Sequence, residues 1–482
     1  MKFVKAWQTD KLKTALITLW ALTVFFSFFG SAITLLQLPA IGELYPFRLL
    51  LPVTALFYLL WMIREKHNPW KTATRAQRIC YVLSVLLVIY GSISLLFAID
   101  FLFTFRRLFN LCYNLCYFCM ALALCKEKDL FIGTVHSALA AVLIQIPMGI
   151  YEVFFKGVFD PIYDAERPKF AFFTGKFQRP VVASGNTNDF AMLLVFVLAV
   201  ALLYWAWRHR EEKCGWIPVA MIAPIYFLIS AGDARLCVMA FVMLVAGFVM
   251  FALTLKEKKR LVLLLTALLL VFVIFGQNYQ KWMPQTNKVT TQWEEPTVVS
   301  LRAGEVVGNP TVTLASRSLK DQLFRVDKET GELQINLKYS AGTRLDLLLH
   351  AAKCVVQSKG LGVGLGNTEQ LAKVNAASRK DGVWNIHCFL ARMTGDFGIF
   401  FLIPLLLLAV ELLRIWYRAF RQSLKKKNME ETMLWIMYLL VLASYPITST
   451  ASSDAQNSLA MWLYLAVVVL FPVLCGKEQQ EA

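Results

Sequence analysis

The chain carries a long series of apolar segments, each of a length that suits a lipid bilayer. A membrane-spanning helix needs about 20 mainly apolar residues. Twelve segments approach this length, near residues 13–30, 47–63, 79–100, 107–125, 130–155, 188–207, 215–231, 234–255, 260–277, 397–415, 432–449 and 457–475. Because a helix satisfies its backbone hydrogen bonds within one segment, helices are the structure expected in lipid. The pattern predicts an all-α polytopic membrane protein with about twelve transmembrane helices.

The charge of the chain agrees with a membrane location. Charged residues make up only 17% of the 482 residues, although the formal net charge is +17. In a soluble protein such a charge would point to nucleic acid. Here the lysines and arginines concentrate in short connections, as the positive-inside rule describes. We therefore expect membrane lipids, and no nucleic acid, as partners. The basic N-terminal segment shows no clear cleavage site, so the first span is expected to be retained.

Alternate connections between the segments are basic, which predicts an orientation. With the N-terminus in the cytoplasm, the basic connections are those near residues 64–78, 126–128, 208–213, 256–260 and 414–427. Arg106 and Arg107 are the clearest exceptions. Both termini are then cytoplasmic. The predicted divisions are residues 1–277 with nine helices and a short outer loop at 156–187, residues 278–387 as a large extracytoplasmic loop, and residues 388–482 with three helices.

The large loop has two parts of different character. Residues 280–335 show no helical period and are interpreted as irregular chain or short strands. The following stretch, TRLDLLLHAAKCVVQSKGLGVGLGN, predicts a helix with Thr343 as its N-cap. Its predicted apolar stripe comprises Leu345, Leu348, Leu349 and Ala352. A short second helix is expected in TEQLAKVNAASRK. The glycines between them lack the GxGxxG spacing, so a structural turn is favoured over a phosphate cradle.

Three arginines and one histidine from distant parts of the chain are predicted to approach the outer face. They are Arg179, Arg235, Arg344 and His387. Singly, each has a structural explanation, as an interfacial anchor, a partner of a nearby carboxylate or a hydrogen-bonded boundary residue. Together, the guanidinium groups suit a diphosphate, and the imidazole can accept a proton near neutral pH. The set predicts a site that holds a lipid-linked diphosphate and deprotonates an acceptor hydroxyl.

The other histidines and the cysteines give weaker signals. His350 is explained more simply by local pairing near Asp346, while His67 and His209 are predicted to be cytoplasmic and His136 to lie in a span. The cysteines are scattered, mostly in or beside apolar segments. Neither a disulfide framework nor a cysteine-rich zinc site follows from that distribution.

Four ordered stretches resemble the O-antigen ligase and polymerase superfamily of bacterial membrane glycosyltransferases. That family's large loop ends in His, then Asn, Ser or Gln, then nine residues and Gly, and here His387 and Gly398 have that spacing, with Cys388 between them. The helix that ends in GLGVGLGN is similar to a family stretch that an arginine opens. GNTNDFAMLL is similar to a span start that contains Asn-Pro-Asn, with Thr187 in place of proline. AGDARLCVMA is similar to the segment with a second arginine.

The resemblance implies a GT-C-like fold and a glycosyl transfer that needs neither metal nor cofactor. The donor would be an undecaprenyl-diphosphate-linked glycan, and the acceptor a glycan or a lipid-linked molecule, at the outer face of a bacterial cytoplasmic membrane. His387 would activate the acceptor hydroxyl. Arg344 and Arg235, with Arg179 as a further candidate, would hold the diphosphate. The supporting residues would be Asn188, Gly362, Gly364, Gly366, Asn367 and Gly398. Cys388, Phe401 and the Ala234-Arg235-Leu236 stretch depart from the family pattern.

Alternatives to this hypothesis stay open at this point. The sequence does not distinguish a polymerase from a ligase. A flippase for lipid-linked saccharides would also need many helices and outer cations, but it should place charges along a cavity at membrane depth, whereas the predicted spans contain few. A sensor or scaffold is a third class, without a specific sequence feature in its support.

Overall fold

The computed structural model describes most of the chain. The described residues are 10–33, 35–38, 42–155, 180–184, 186–209, 217–232, 234–255, 297–300, 324–326, 333–337, 339–376, 386, 388–450 and 459–481.

The N-terminal half is a series of long helices. They are α1 (Lys11–Ser27), α2 (Pro46–Arg64), α3 (Arg75–Ser94), α4 (Phe101–Leu124), α5 (Lys128–Phe154) and α6 (Thr187–His209). A small antiparallel hairpin, β1 (Leu36–Leu38) and β2 (Gly42–Leu44), joins α1 to α2. The helix starts carry side-chain caps, because the first N–H groups of a helix have no partner within it. Asp10 accepts from Lys13 N, Asp100 accepts from Phe103 N, and Thr74 forms a capping box with Gln77.

The C-terminal half combines long helices with a short mixed segment. Its elements are α7 (Ile217–Ala220), α8 (Ile222–Ala231), α9 (Arg235–Ala252), β3 (Thr297–Ser300), β4 (Phe324–Val326), β5 (Leu333–Leu337), α10 (Tyr339–Gln357), α11 (Asn367–Ala376), α12 (Phe389–Phe397), α13 (Ile399–Lys425), α14 (Met429–Ser449) and α15 (Leu459–Glu481). The three strands form an antiparallel sheet in the order β3-β5-β4. The short strands expected within residues 280–335 are thus confirmed where the chain is described.

Within the described ranges, nine helices are long and apolar enough to cross a bilayer. They are α2, α3 with its extension to Phe97, α4, α5, α6, α9, α13, α14 and α15 up to Gly476. The fold is therefore that of a helical polytopic membrane protein, as predicted. The first predicted span, α1, has 17 residues, and the predicted span 260–277 lies outside the described residues. The total of twelve spans stays a prediction.

The predicted span 215–231 is broken into α7 and α8. The break follows Ala220, four residues before Pro224. Proline has no N–H to donate to the carbonyl four residues earlier, and its ring crowds that carbonyl. The pattern of apolar residues predicts one continuous helix here, because it takes no account of the proline.

Helix α6 forms the centre of the bundle. All residues in its apolar stretch are buried. The helix contacts α5, α8, α9, α14 and α15. In the apolar stretches of α2 and α13, only 28% and 22% of the residues are buried. A helix that is hydrophobic all round belongs in an interior, while exposed apolar helix faces suit lipid. Residues of α6 therefore organise the core, and α2 and α13 lie at its periphery.

Side-chain contacts gather the basic helix ends on one face of the bundle. Arg64, at the end of α2, pairs with Asp10 before α1. The Lys13 ammonium lies 3.1 Å from the Glu127 carboxylate, just before α5, and Lys126 donates to Thr72 at 3.1 Å. Two of the connections that the charge pattern assigns to a single side of the membrane, near residues 64–78 and 126–128, therefore meet the start of α1 there.

The helix of the large loop differs from its prediction in start and in face. Helix α10 begins at Tyr339, so Thr343 lies inside it and is not its N-cap. Its buried side chains include Leu347 and Ala351, whereas Leu348 and Leu349 are 37% and 41% exposed. The predicted stripe was wrong because two faces of this helix have helical apolar spacing. Contacts with α11 and the chain at residue 386 decide which face is buried.

Candidate functional site

The glycine segment between α10 and α11 adopts a conformation that few other residues can adopt. Gly360, Gly362, Gly364 and Gly366 all have φ between +79° and +95°. At Gly362 a Cβ atom would also lie 2.5 Å from the carbonyl oxygen of Asp396. Glycine is required there both for its backbone angles and for the close approach of another chain segment. We call residues 360–366 the glycine loop.

The glycine loop is bound to the junction between α12 and α13 by backbone hydrogen bonds. Val363 N donates to Gly395 O at 3.0 Å, and Gly364 N donates to Asp396 O at 2.9 Å. In the other direction, Ile399 N donates to Gly360 O at 2.9 Å. Gly398, between the two helices, has φ 53° and ψ −130°. The family-like spacing from His387 to Gly398 therefore ends where the loop meets the membrane helix.

This arrangement excludes the phosphate-cradle interpretation of the glycines. The N–H groups of Gly362, Val363, Gly364 and Gly366 all donate to protein acceptors, namely Ser358 Oγ and groups at residues 395 and 396. A phosphate cradle would need these N–H groups to point at a ligand. The glycine loop is a structural turn, in agreement with the sequence analysis.

Asp396 joins the glycine loop to the start of α11. Its buried carboxylate accepts from Gly366 N at 2.9 Å and from Thr368 N at 3.2 Å. A carboxylate is favourable at this position because the first N–H groups of a helix carry partial positive charge. Burial raises the pKa of Asp396 to about 6, against the lowering effect of these hydrogen bonds and of Arg392. The carboxyl group therefore binds its proton more tightly than an exposed aspartate does.

A buried carboxylate lies between two guanidinium groups from different elements. Glu369 of α11 accepts from Arg392 of α12 and from Arg107 of α4, both at 3.0 Å. The side chains of Glu369, Arg392 and Arg107 are 1%, 2% and 14% exposed. Arg107, one of the two exceptions to the charge pattern, thus has a buried partner in the docked helical segment.

The glycine loop also rests on the turn between α3 and α4. Asn367 donates to Val363 O at 2.8 Å and accepts from Ile99 N at 3.2 Å. Tyr90 of α3 donates its hydroxyl to Gly362 O at 2.9 Å. Asn367 was expected to be a supporting residue, and this geometry explains how it stabilises the loop against the bundle.

The chain next to His387 is packed between the loop and the core. Ile386 and Cys388 are 1% and 7% exposed. Cys388 occupies the N-cap position of α12, and burial raises the pKa of its thiol. Phe389 makes edge-to-face contacts with Trp462 and with Phe401. Phe401, a departure from the family pattern, thus fills the core beneath this segment.

A second group of predicted residues meets at the starts of α6 and α9. Asn188 N donates to the Asn186 side chain at 2.8 Å, which shapes the start of α6. Beside it, a Cβ at Gly232 would lie 3.7 Å from Thr187 O, and Arg235 opens α9 with an exposed side chain. Asn188 and Arg235 therefore stand at neighbouring helix starts.

The chain that leads into α6 is fixed by Glu152 of α5. This buried carboxylate accepts from Val181 N at 2.7 Å and from Val182 N at 2.8 Å. Val182 has φ 48°, which is unusual for a β-branched residue. The two hydrogen bonds hold this backbone in place.

Three of the predicted site residues fall wholly or partly outside the described part of the chain. Arg179 and His387 lie outside the described residues. Arg344 lies in the first half of α10, but its side chain is outside the described part. Their catalytic and binding roles stay predictions. His350 of the same helix contacts Thr368 O at 3.1 Å, so it connects α10 with α11.

Sequence reasoning missed Glu369, Arg392 and Asp396, which all have buried side chains. The available signal was a pair of charged residues, Arg392 and Asp396, in a short apolar segment directly before a span. Charged residues are seldom fully buried unless they are paired. Among the described residues, no group of three or more His, Cys, Asp or Glu side chains is arranged to hold a metal ion.

The fold and the loop contacts define a helical membrane protein with an ordered helical segment docked on one end of its bundle. No protein-family model matches the chain. Over 126 residues it is 24% identical to the teichuronic acid biosynthesis protein TuaE of Bacillus subtilis (strain 168). The aligned region covers 26% of this chain and 25% of that protein. The match thus spans about a quarter of the relative's length.

Proposed function

We propose that this chain is a membrane glycosyltransferase of surface polysaccharide biosynthesis. It transfers a saccharide from an undecaprenyl-diphosphate-linked donor to a hydroxyl of a glycan or lipid-linked acceptor. The observation that carries the proposal is the docking of the segment on either side of His387 against both the loop helices and the bundle. The similarity to TuaE supports a role in teichuronic acid or related surface polysaccharide biosynthesis.

The proposed chemistry is a displacement at the anomeric carbon. The acceptor oxygen forms a new bond to that carbon while the bond to the diphosphate breaks. His387 takes the acceptor proton, and the diphosphate leaves on the lipid. Arg344 and Arg235, with Arg179, offset the charge that develops on the leaving group. In this mechanism the guanidinium groups supply the charge that a metal ion supplies in other enzymes.

The packing of α10 supports the pairing of Arg344 with His387 in one site. Leu347 and Ala351 of α10 pack with Ile386, the residue before His387. Leu347 lies three residues after Arg344, about one helical turn away. The packing of α10 against Ile386 supports a single site for the two groups, because a diphosphate site with a nearby base requires both on elements that are packed together.

The location proposed for the reaction is the outer face of a bacterial cytoplasmic membrane. The termini would be cytoplasmic and the segment 278–387 extracytoplasmic. The clustering of Arg64, Lys13 and Lys126 at one face of the bundle supports this orientation, because basic connections favour the cytoplasmic side. The glycine loop lies beside the turn between α3 and α4, at the opposite ends of those helices.

The test is polysaccharide analysis in cells that express His387→Ala or Arg344→Ala at the level of the unchanged protein. Both variants should abolish polymer formation or attachment, because each lacks a group that the transfer step needs. His67→Ala is a matched histidine control near the basic face and should retain full activity. Normal polymer length and linkage in both site variants would refute the proposal.

The same experiment distinguishes two forms of the activity. A polymerase variant should leave single repeats attached, whereas a ligase variant should accumulate unattached, lipid-linked chains. Accumulation of donor on the cytoplasmic leaflet alone would instead indicate a failure of lipid translocation and would contradict glycosyl transfer as the activity.

A further inference from the structure

We propose that Glu369, held between Arg107 and Arg392, is a positioning residue that fixes the orientation of α12, the helix that follows His387 in the chain, on the membrane bundle. We call these three residues the ion bridge. It connects α4, which spans the membrane, with α11 and α12 of the docked segment. The inference about orientation stands on the contacts alone, and only its effect on catalysis rests on the proposed function.

The ion bridge acts across a large separation in the chain. Arg107 and Glu369 are 262 residues apart, while Glu369 and Arg392 are 23 apart. Each Glu369 oxygen has its own guanidinium partner, so one carboxylate binds two elements. Removal of Glu369 would take this shared carboxylate from both guanidinium groups, and removal of either arginine would take the partner from one Glu369 oxygen. The loss of a buried charged contact of this kind is strongly unfavourable. Apolar packing alone would tolerate small rotations of α12, whereas directed hydrogen bonds do not.

The position of Arg392 links the ion bridge to the start of α12, directly after His387 in the chain. Arg392 N donates to Cys388 O at 3.0 Å, in the first turn of α12. The Arg392 anchor therefore sets the rotation of the turn that follows directly on His387. On the other side, the Arg107 guanidinium lies 5.0 Å over the Phe103 ring. That ring also contacts the glycine loop, since a Cβ at Gly366 would lie 2.9 Å from it.

A structural cost supports a specific role for Arg107. A guanidinium at an outer helix end opposes the charge distribution that orients the spans. The bridge gives this arginine a partner that is buried and 3.0 Å away. The contact therefore offsets the cost of a charge at this position and joins the loop to the bundle.

Cys388 provides a native probe of the bridge. Its side chain is 7% exposed, one turn before Arg392. Reaction of the full-length protein with N-ethylmaleimide in lipid nanodiscs, followed by peptide mass spectrometry, gives its labelling rate. Glu369→Gln and Arg107→Gln should raise this rate at least about tenfold. Arg107→Lys keeps the charge and should stay within about threefold of the unchanged protein.

Controls separate orientation from general unfolding. Cys237 of α9 is fully buried elsewhere in the bundle, and its labelling should not change in any variant. Arg106→Gln, at the neighbouring position of α4, should leave Cys388 protected. The double variant Glu369→Gln/Arg107→Gln should label no faster than Glu369→Gln alone, because both changes remove one contact. If Glu369→Gln fails to fold, Arg107→Gln, at the more exposed end of the bridge, decides the question.

The catalytic consequence is measured in the same preparations. Loss of the bridge should lower kcat about tenfold or more, with the donor KM within about threefold. Protection of Cys388 in both glutamine variants would overturn the proposal, and so would equal acceleration at Cys388 and Cys237. The glutamine variants could label faster at Cys388 while the unchanged protein itself shows no glycosyl transfer. That result would support the ion bridge and refute the proposed function.

Discussion

The carboxylate of Asp396 accepts a 2.9 Å hydrogen bond from the backbone N–H of Gly366, thirty residues earlier in the chain. This contact couples the start of α11 to the last turn of α12, and thereby to the membrane helix that begins after Gly398. The site region is held by a few directed polar contacts of this kind. Each of them can be changed singly.

The Asp396 contact predicts a pH-dependent stability. Burial raises the pKa of Asp396 to about 6 from an ordinary value of 3.8. The folded state then binds this proton more tightly than the unfolded state does. Its contribution to stability is fully present below the unfolded pKa and is lost as pH rises through about 6. The apparent Tm of the unchanged protein should therefore rise relative to Asp396→Asn between about pH 7 and about pH 5.

The measurement is thermal unfolding in detergent at several pH values. Asparagine does not titrate, but it keeps one oxygen that can accept a hydrogen bond. At a fixed pH the Asp396→Asn substitution should change the free energy of unfolding by about 1–3 kcal/mol. A Tm difference that stays constant across this range would contradict the assignment of the proton to Asp396.

Gly398→Ala should be severely destabilising. The residue has φ 53° and ψ −130°, and a Cβ would overlap the carbonyl oxygen of Gly360. Backbone strain and displacement of the glycine loop together should lower the free energy of unfolding by at least about 3 kcal/mol. Gly133→Ala in α5 is the matched control, since nothing lies within 4 Å of its added Cβ. The control should be neutral or more stable by up to about 1 kcal/mol. Similar unfolding temperatures for the two variants would disprove the close approach.

Tyr90→Phe should loosen the glycine loop without disturbing the packing of its ring. The change removes the hydrogen bond to Gly362 O, worth about 1 kcal/mol, and keeps the contacts with Phe397 and Phe400. Hydrogen exchange in a peptide over residues 358–366 should become faster. Tyr81→Phe is the control on the same helix, because the Tyr81 hydroxyl has no hydrogen-bond partner among the described residues. Equal exchange in the two variants would argue against the Tyr90 contact.

Glu152→Ala should release the chain before α6. It leaves the N–H groups of Val181 and Val182 without this acceptor and should destabilise the protein by about 2–4 kcal/mol. Glu152→Gln keeps an oxygen and should lose about half as much. Hydrogen exchange at residues 180–184, read beside the apparent Tm, measures both effects. An alanine variant that protects these residues as well as the unchanged protein would be the contrary result.

Membrane orientation can be tested with single cysteines and an impermeant maleimide. Ser316→Cys, in the predicted extracytoplasmic loop, should label in intact cells, after subtraction of the labelling of the unchanged chain. Lys426→Cys, an exposed position after α13, should label only after the cells are opened. The reverse pattern would invert the predicted topology.

The sequence predicted the elements that depend on local chemistry. Apolar length located the long helices, and the glycines marked the turn between α10 and α11, because the backbone angles of a turn are a property of a few adjacent residues. The sequence could not tell which face of α10 is buried, since Leu347 and Leu348 are both apolar. That choice is made by α11 and the chain at Ile386, which are distant in sequence.

The buried charges show a second limit. Arg107 stood out only as an exception to the charge pattern, and its partner Glu369 lies 262 residues later. A pairing over such a distance leaves no local periodicity. Arg235 and Asn188 stand at neighbouring helix starts, and their roles in a diphosphate site stay predictions. Asp396 was missed because its acceptor role depends on the docked start of α11.

The enclosure of α6 on all sides has a consequence for biosynthesis. Its neighbours α14 and α15 begin at residues 429 and 459, more than two hundred residues after α6 ends at His209. During synthesis α6 therefore enters the membrane long before the helices that will cover it. Its uniformly apolar surface is stable in lipid until those helices are made. Completion of the core depends on the last spans to be made, so truncation near the C-terminus should expose the centre of the protein to lipid rather than trim its edge.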